Sequence, residues 1–220
     1  MAVRADSIRI HAAGADEYDL QVEAYESYAH DLLFGLSHSY AGPGQRLLDL
    51  GIGTGLASEP FARAGLEIYG ADGSAEMLRV CRAKGFAREL RLLDLRAVPW
   101  PYPDRFFAHA LACGLLHFFG DLAPWVGEVS RLLGGGGVFA FTVAAQAQAE
   151  SESRKPLDGY SRLETPWGVD IFVHQDRYLR RTLARFGFRV LKRQRYLAKA
   201  GEAGGPENVF AGYVARKSKS

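Results

Sequence analysis

The sequence is poor in the features that place a protein quickly. Its 220 residues include only two cysteines, Cys81 and Cys113. Two cysteines supply neither the repeated spacing of a metal knuckle nor a disulfide framework, so no metal site is expected and a reducing compartment fits. No charge of one sign dominates, Lys and Arg numbering 27 against 25 Asp and Glu. Without a net positive field to concentrate a phosphate polymer, nucleic acid is not the expected partner. No apolar run approaches the length that crosses a bilayer, Met1 to Ile10 contain no secretory apolar core, and no internal repeat is visible. The expectation is a cytoplasmic protein.

What is present is enough apolar material for one core. At 48% hydrophobic content, 220 residues support a single domain. Gln45 to Gly51 is a nearly continuous apolar run behind the turn Ala41-Gly42-Pro43-Gly44, which suits a strand buried on both faces. A helical stretch from Gly55 to Ala64, a strand from Leu66 to Asp72 and a helix from Ser74 to Lys84 follow. Strands at Glu89–Leu93 and Phe106–Cys113, a helix at Leu122–Leu133 and a strand at Val138–Val143 continue the alternation. That rhythm predicts an α/β fold, Rossmann-like and doubly wound. Beyond Val143 the segment 144–174 loses its periodicity, as a lid or insert does. A helix from His174 to Phe186 and strands at Phe188–Tyr196 and Val209–Val214 close the chain. A short linker joins those last two strands, so they pair antiparallel. The sheet expected is seven-stranded, mostly parallel with an antiparallel last strand. Residues 1–40 form a helical cap, 45–143 the core, 144–174 the insert and 175–217 the C-terminal helix and strand pair.

The most informative stretch is Asp49-Leu50-Gly51-Ile52-Gly53-Thr54-Gly55, at the end of the first strand. Alternate glycines let the backbone turn sharply and let a ligand approach where a Cβ would collide. Asp72 ends the second strand and reaches the same edge of the sheet, where an acidic group can accept two ribose hydroxyls. The third glycine of the dinucleotide fingerprint is missing in either register, since Leu56 or Ser58 stands in its place. A pyrophosphate cradle is therefore disfavoured.

From about Gln45 to Val143 the chain resembles the class I S-adenosylmethionine-dependent methyltransferases, in particular the group acting on quinones and other small molecules. The glycine motif is Asp49 to Gly55, and Asp72 with Gly73, Ser74 and Met77 matches the ribose-binding stretch. Leu93-Asp94-Leu95 matches the adenine segment, Leu116-His117-Phe118 the turn after the fourth strand, and Arg131-Leu132-Leu133 with Gly136-Gly137 the approach to the fifth. Phe107 replaces a frequent aspartate and Gly134-Gly135 a common Lys-Pro pair. The resemblance implies S-adenosylmethionine as donor, S-adenosylhomocysteine as product and a small-molecule acceptor. The donor carries no phosphate, in keeping with the glycine spacing. Its binding set would be Asp49, Gly51, Gly53, Gly55, Asp72, Gly73, Met77, Asp94, Leu95 and Cys113, with Asp94 at the adenine amino group and Leu95 against the ring.

Acceptor-side candidates each have a plainer reading. His117 is placed to act as a base or merely to fix its loop. Tyr25 and Tyr28 either line the cleft or pack one face of an N-terminal helix. Trp167 and Phe172 form an aromatic wall or anchor the insert, and His174 reaches the cleft or caps its helix. Arg177, Arg180, Arg181, Arg185 and Arg189 contact an acidic ligand or form a solvated face. Two other functions share these motifs: a non-catalytic domain that binds the donor or its product, and an NAD-dependent oxidoreductase, against which the glycine spacing argues. An aminopropyltransferase would need an acidic cluster for a polyamine, and none stands out.

Overall fold

The alternation of apolar runs and amphipathic stretches is realised as a doubly wound sheet in the computed structural model, which describes residues 8, 12–145, 159–165, 168–199 and 207–219. The strands are β1 (Arg46–Leu50), β2 (Glu67–Asp72), β3 (Ala87–Leu92), β4 (Phe107–Ala112), β5 (Leu133–Ala144), β6 (Tyr160–Glu164), β7 (Asp170–His174), β8 (Phe188–Lys199) and β9 (Glu207–Lys217). The helices are α1 (Tyr18–Ala24), α2 (Ala29–Ser37), α3 (Glu59–Arg63), α4 (Ala75–Ala83), α5 (Ala123–Leu132) and α6 (Asp176–Arg185). The central strands run parallel in the order β3-β2-β1-β4-β5. β9 pairs antiparallel with β5, and β8 with β9. These seven strands are the sheet expected from the sequence.

Two further strands come from the segment that shows no periodicity. β6 and β7 form an antiparallel hairpin. β4 pairs with β5 only as far as Phe141, whereas β5 continues to Ala144, which pairs with Val173 of β7. Since β9 already occupies the other side of Ala144, the hairpin extends the sheet beyond the carboxyl end of β4. Buried His174 bonds the carbonyl of Gly120 through Nε2 at 2.9 Å, and Gly120 has room for Tyr160 and Phe172 only because it lacks a Cβ.

Pleating sends alternate residues to opposite faces. Leu48 and Leu50 join a core with Trp100, Phe107, Trp125, Phe141 and Tyr213, while Leu47 joins another with Leu33, Phe61, Ile68 and Val214. Phe107 meets Tyr69, Tyr102 and Phe106 edge-on, which explains an aromatic residue where an aspartate is frequent. In α4, Ser74 is the N-cap and accepts the Met77 N–H at 3.1 Å, so the helix buries Met77, Leu78 and Cys81 from a fixed start. α6 buries Tyr178, Leu179, Thr182 and Leu183 and leaves Arg177, Arg180, Arg181 and Arg185 in solvent, where Arg189 of β8 also lies. Among the described residues no helix is long and apolar enough to cross a membrane.

The N-terminal cap departs from expectation. Tyr25 and Tyr28 do not share one helix face, because Glu26 adopts a left-handed conformation (φ 51°) and the Ser27 N–H returns to the Val22 carbonyl. Tyr25 caps the end of α1 and Tyr28 the start of α2.

Candidate donor-binding site

At the carboxyl edge of the sheet, the chain leaves β1 in a turn whose glycines all have positive φ: Gly51 70°, Gly53 55° and Gly55 92°. Each serves a different purpose. A Cβ on Gly55 would lie 2.5 Å from the Phe86 ring and 3.0 Å from the Cys81 sulfur, so this glycine lets the turn pack on α4. A Cβ on Gly51 would meet the Leu115 methyls at 2.9 Å. Gly53 alone of the three faces open space, with nothing within 4 Å of its Cβ position.

The turn is fastened to the end of β2. Gly51 and Ile52 donate to the Ala71 carbonyl, and Gly53 N–H donates to Asp72 Oδ2 at 2.8 Å. Asp72 Oδ1 accepts the Ser74 N–H, also at 2.8 Å. One carboxylate thus joins the glycine turn to the start of α4 and is held in a single orientation by charge-assisted bonds. Beside it opens a cleft of about 530 Å³, partly continuous with solvent. Gly51, Gly53, Asp72, Met77 and Cys113 line it as the sequence suggests, together with Ile8, Tyr18, Ser74, Gly114, Leu115 and Phe118.

Burial keeps Tyr18, Cys113 and Asp49 neutral. Burial, then the Cys113, Asp19 and Asp72 side chains, push the Tyr18 hydroxyl up to about 12. Half-buried Cys113 is also raised to about 12, by burial and then by Asp49, with a Thr142 hydrogen bond opposing. A thiol so far from ionisation at neutral pH is a poor nucleophile. Asp49 lies below the turn at 1% exposure, and burial raises its pKa to about 8. The Ser58 hydroxyl faces it, although neither carboxyl oxygen has a hydrogen bond of good geometry.

Several expected residues stand elsewhere. Asp49 and Gly55 support the turn from behind without lining the cleft, and Gly73 lies under Ile8, whose Cδ1 would be 2.6 Å from a Cβ there. Asp94 is half exposed and held by Arg96 Nε at 2.8 Å and Nη2 at 2.9 Å, and Leu95 is buried in the main core. The His117 ring does not line the cleft; it lies 4.1 Å from Phe118 and edge-on to Phe210 of β9 at 5.6 Å. Tyr25 and Tyr28 are 38% and 60% exposed, and the tyrosine of the cap that reaches the cleft is Tyr18. His174 is a buried tie and Phe172 packs on Tyr160, so both serve the hairpin. Trp167 lies outside the described residues. Tyr18 escaped sequence reasoning because the break at Glu26, which turns α1 onto the cleft, has no glycine or proline to announce it.

A parallel sheet in this order, closed by an antiparallel pair and bearing a glycine turn tied to an acid on the next strand, has the architecture of the class I S-adenosylmethionine-dependent methyltransferases. The comparison with known sequences agrees: the methyltransferase domain family model matches residues 48–141, the stretch that holds the glycine turn and Asp72. Demethylmenaquinone methyltransferase of Thermus thermophilus is 42% identical over 98 residues, 42% of this chain and 44% of that protein. Malonyl-(acyl-carrier protein) O-methyltransferase of Serratia marcescens is 29% identical over 147 residues, 66% of this chain and 56% of that protein. The chain spans about half the length of these curated relatives. The 1,6-didemethyltoxoflavin-N1-methyltransferase of Burkholderia thailandensis, solved with 1,6-didemethyltoxoflavin and S-adenosylhomocysteine, superposes with a TM-score of 0.66 at 16% identity. That match covers 99% of this chain and 93% of the other, and it establishes likeness of fold.

Proposed function

We propose that this protein is an enzyme that transfers a methyl group from S-adenosylmethionine to a small-molecule acceptor, leaving S-adenosylhomocysteine. The observation that carries the reading is the Asp72 carboxylate, fixed by the Gly53 and Ser74 N–H groups at the lip of a cleft into which Gly53 opens. Asp72 would accept the ribose hydroxyls, and Gly53 and Gly114 would let the donor approach the backbone. When bound, S-adenosylmethionine supplies an activated methyl group on a positively charged sulfur.

The residues around the cleft favour alignment over acid–base chemistry. Tyr18 and Cys113 stay protonated near neutral pH, and His117 packs between Phe118 and Phe210 outside the cleft lining, so no general base is assigned. Leu115, Phe118 and Tyr18 form an apolar side on which an acceptor would be held in line with the methyl group and shielded from water. The named substrates of the relatives, a quinone precursor and a carrier-bound malonyl group, support a small organic acceptor without choosing one. A domain that only binds the donor would show the same glycine turn and carboxylate. The deciding experiment supplies methyl-labelled S-adenosylmethionine and a panel of quinol, carboxylate and amine acceptors. Transfer to one class is expected; binding of donor without transfer to any acceptor of the panel would sink the enzymatic reading.

A further inference from the structure

Cys113, Gly114, Leu115 and Phe118 supply much of the cleft wall, and the wall is anchored from outside its own sequence. Gly114 is left-handed (φ 67°), and the Leu115 methyls rest against Gly51. Thr142 of β5, fully buried, accepts the Gly114 N–H on Oγ1 at 2.8 Å. The Thr142 hydroxyl also faces the Tyr196 hydroxyl of β8 and the Cys113 thiol. A hydroxyl has one hydrogen and two lone pairs. Accepting the Gly114 N–H leaves the Thr142 oxygen one further lone pair and one hydrogen for these two neighbours. Burial holds Tyr196 protonated and so preserves it as a donor.

The other end of the wall is touched by the neighbour of Tyr196. Phe210 lies opposite Tyr196 in the β8–β9 ladder, the two rings stack at 5.9 Å, and Phe210 meets the His117 ring. One cross-strand pair therefore meets the segment 113–118 directly through Phe210 at His117 and lies beside its Thr142 tether through Tyr196. We infer that Thr142 and Tyr196 are positioning residues that hold this wall against the glycine turn, so that the C-terminal strand pair sets the reactive end of the donor cleft. The inference rests on the donor assignment above. Its physical basis is that alignment within a site tolerates little displacement.

The test uses the full chain, S-adenosylhomocysteine as probe in titration calorimetry, and the variants T142V, T142S, Y196F and T142V/Y196F. T142V should weaken binding by about tenfold and Y196F by about threefold, the range of one lost buried hydrogen bond, with T142S close to the parent. Because Tyr196 acts through the Thr142 hydroxyl, Y196F should add nothing in the T142V background. Equal weakening by Y196F in both backgrounds, or parent-like binding by T142V, would overturn the assignment. Hydrogen exchange at the Gly114 amide supplies a readout without ligand, faster in T142V and restored in T142S. If the parent chain fails to bind the probe, the donor reading falls and this exchange rate decides the tether alone. An unchanged rate in T142V would then reject it.

Discussion

Asp72 links two turns through a single side chain. Its two oxygens hold the Gly53 and Ser74 N–H groups, so removing the carboxylate altogether would disturb both the glycine turn and the N-terminus of α4. Asp72→Asn keeps one acceptor and the side-chain shape, and it isolates the role in binding. S-adenosylhomocysteine affinity should fall at least about tenfold, or about 1.4 kcal/mol, with circular dichroism unchanged. Parent-like affinity in calorimetry would remove Asp72 from the site. Asp49 offers a prediction in pH. Its folded-state pKa of about 8 lies above the ordinary 3.8, so the unfolded chain ionises first and folding stability declines as pH rises between those values. Asp49→Asn should therefore melt with a shallower decline between pH 5 and 8 than the parent, and parallel curves would contradict a buried neutral acid. Both acids were legible in the sequence because a strand end fixes which edge a residue reaches. Which of them would line the cleft was not, since that depends on strand register: Asp49 pairs with Gly70, two positions short of Asp72 at the carboxyl edge.

The parallel strands could be located from their apolar runs, although their ends moved. β5 begins at Leu133, not Val138, because Gly134 to Gly137 continue as strand, and a Cβ on Gly137 would lie 2.9 Å from the Ala108 carbonyl oxygen. The β6–β7 hairpin was illegible: its strands have five residues each, and its stability comes from contacts remote in sequence. Among those contacts is the Gly120 tie, whose loss in His174→Ala should cost about 1–3 kcal/mol and lower Tm by roughly 2–10 °C. An unchanged Tm would show that the hairpin is held without it. A second buried imidazole, His109 of β4, bonds Gln45 at 2.8 Å and has its pKa lowered by burial to about 4. Here the unfolded chain takes up a proton first as pH falls, so stability is lost from about pH 6.5 downward, by at most about 3 kcal/mol at pH 4. His109→Gln, which retains a donor toward Gln45, should flatten that part of the profile. An equally steep acid limb would assign the loss to other groups.

At the scale of the whole molecule, the competing functions differ in which nucleotide-derived ligand the folded state prefers. The early β-α-β unit and an acid after the second strand are shared with NAD-dependent oxidoreductases, and the glycine spacing separates them only by what each turn can cradle. Ligand linkage turns that distinction into a measurement on the intact chain. A ligand that binds only the folded state raises its stability by about 2.7 kcal/mol at a concentration one hundred times Kd. For a chain of this length each kcal/mol moves Tm by roughly 2–4 °C, so saturating S-adenosylhomocysteine should raise it by about 5–10 °C. NAD should leave Tm where it was, because the turn after β1 has its open glycine at Gly53 and packs Gly55 against Phe86 and Cys81, with no third glycine at Leu56 or Ser58 to seat a pyrophosphate. A matching rise with NAD, and none with S-adenosylhomocysteine, would mean that the carboxylate at Asp72 serves a dinucleotide and that methyl transfer is the wrong chemistry for this cleft.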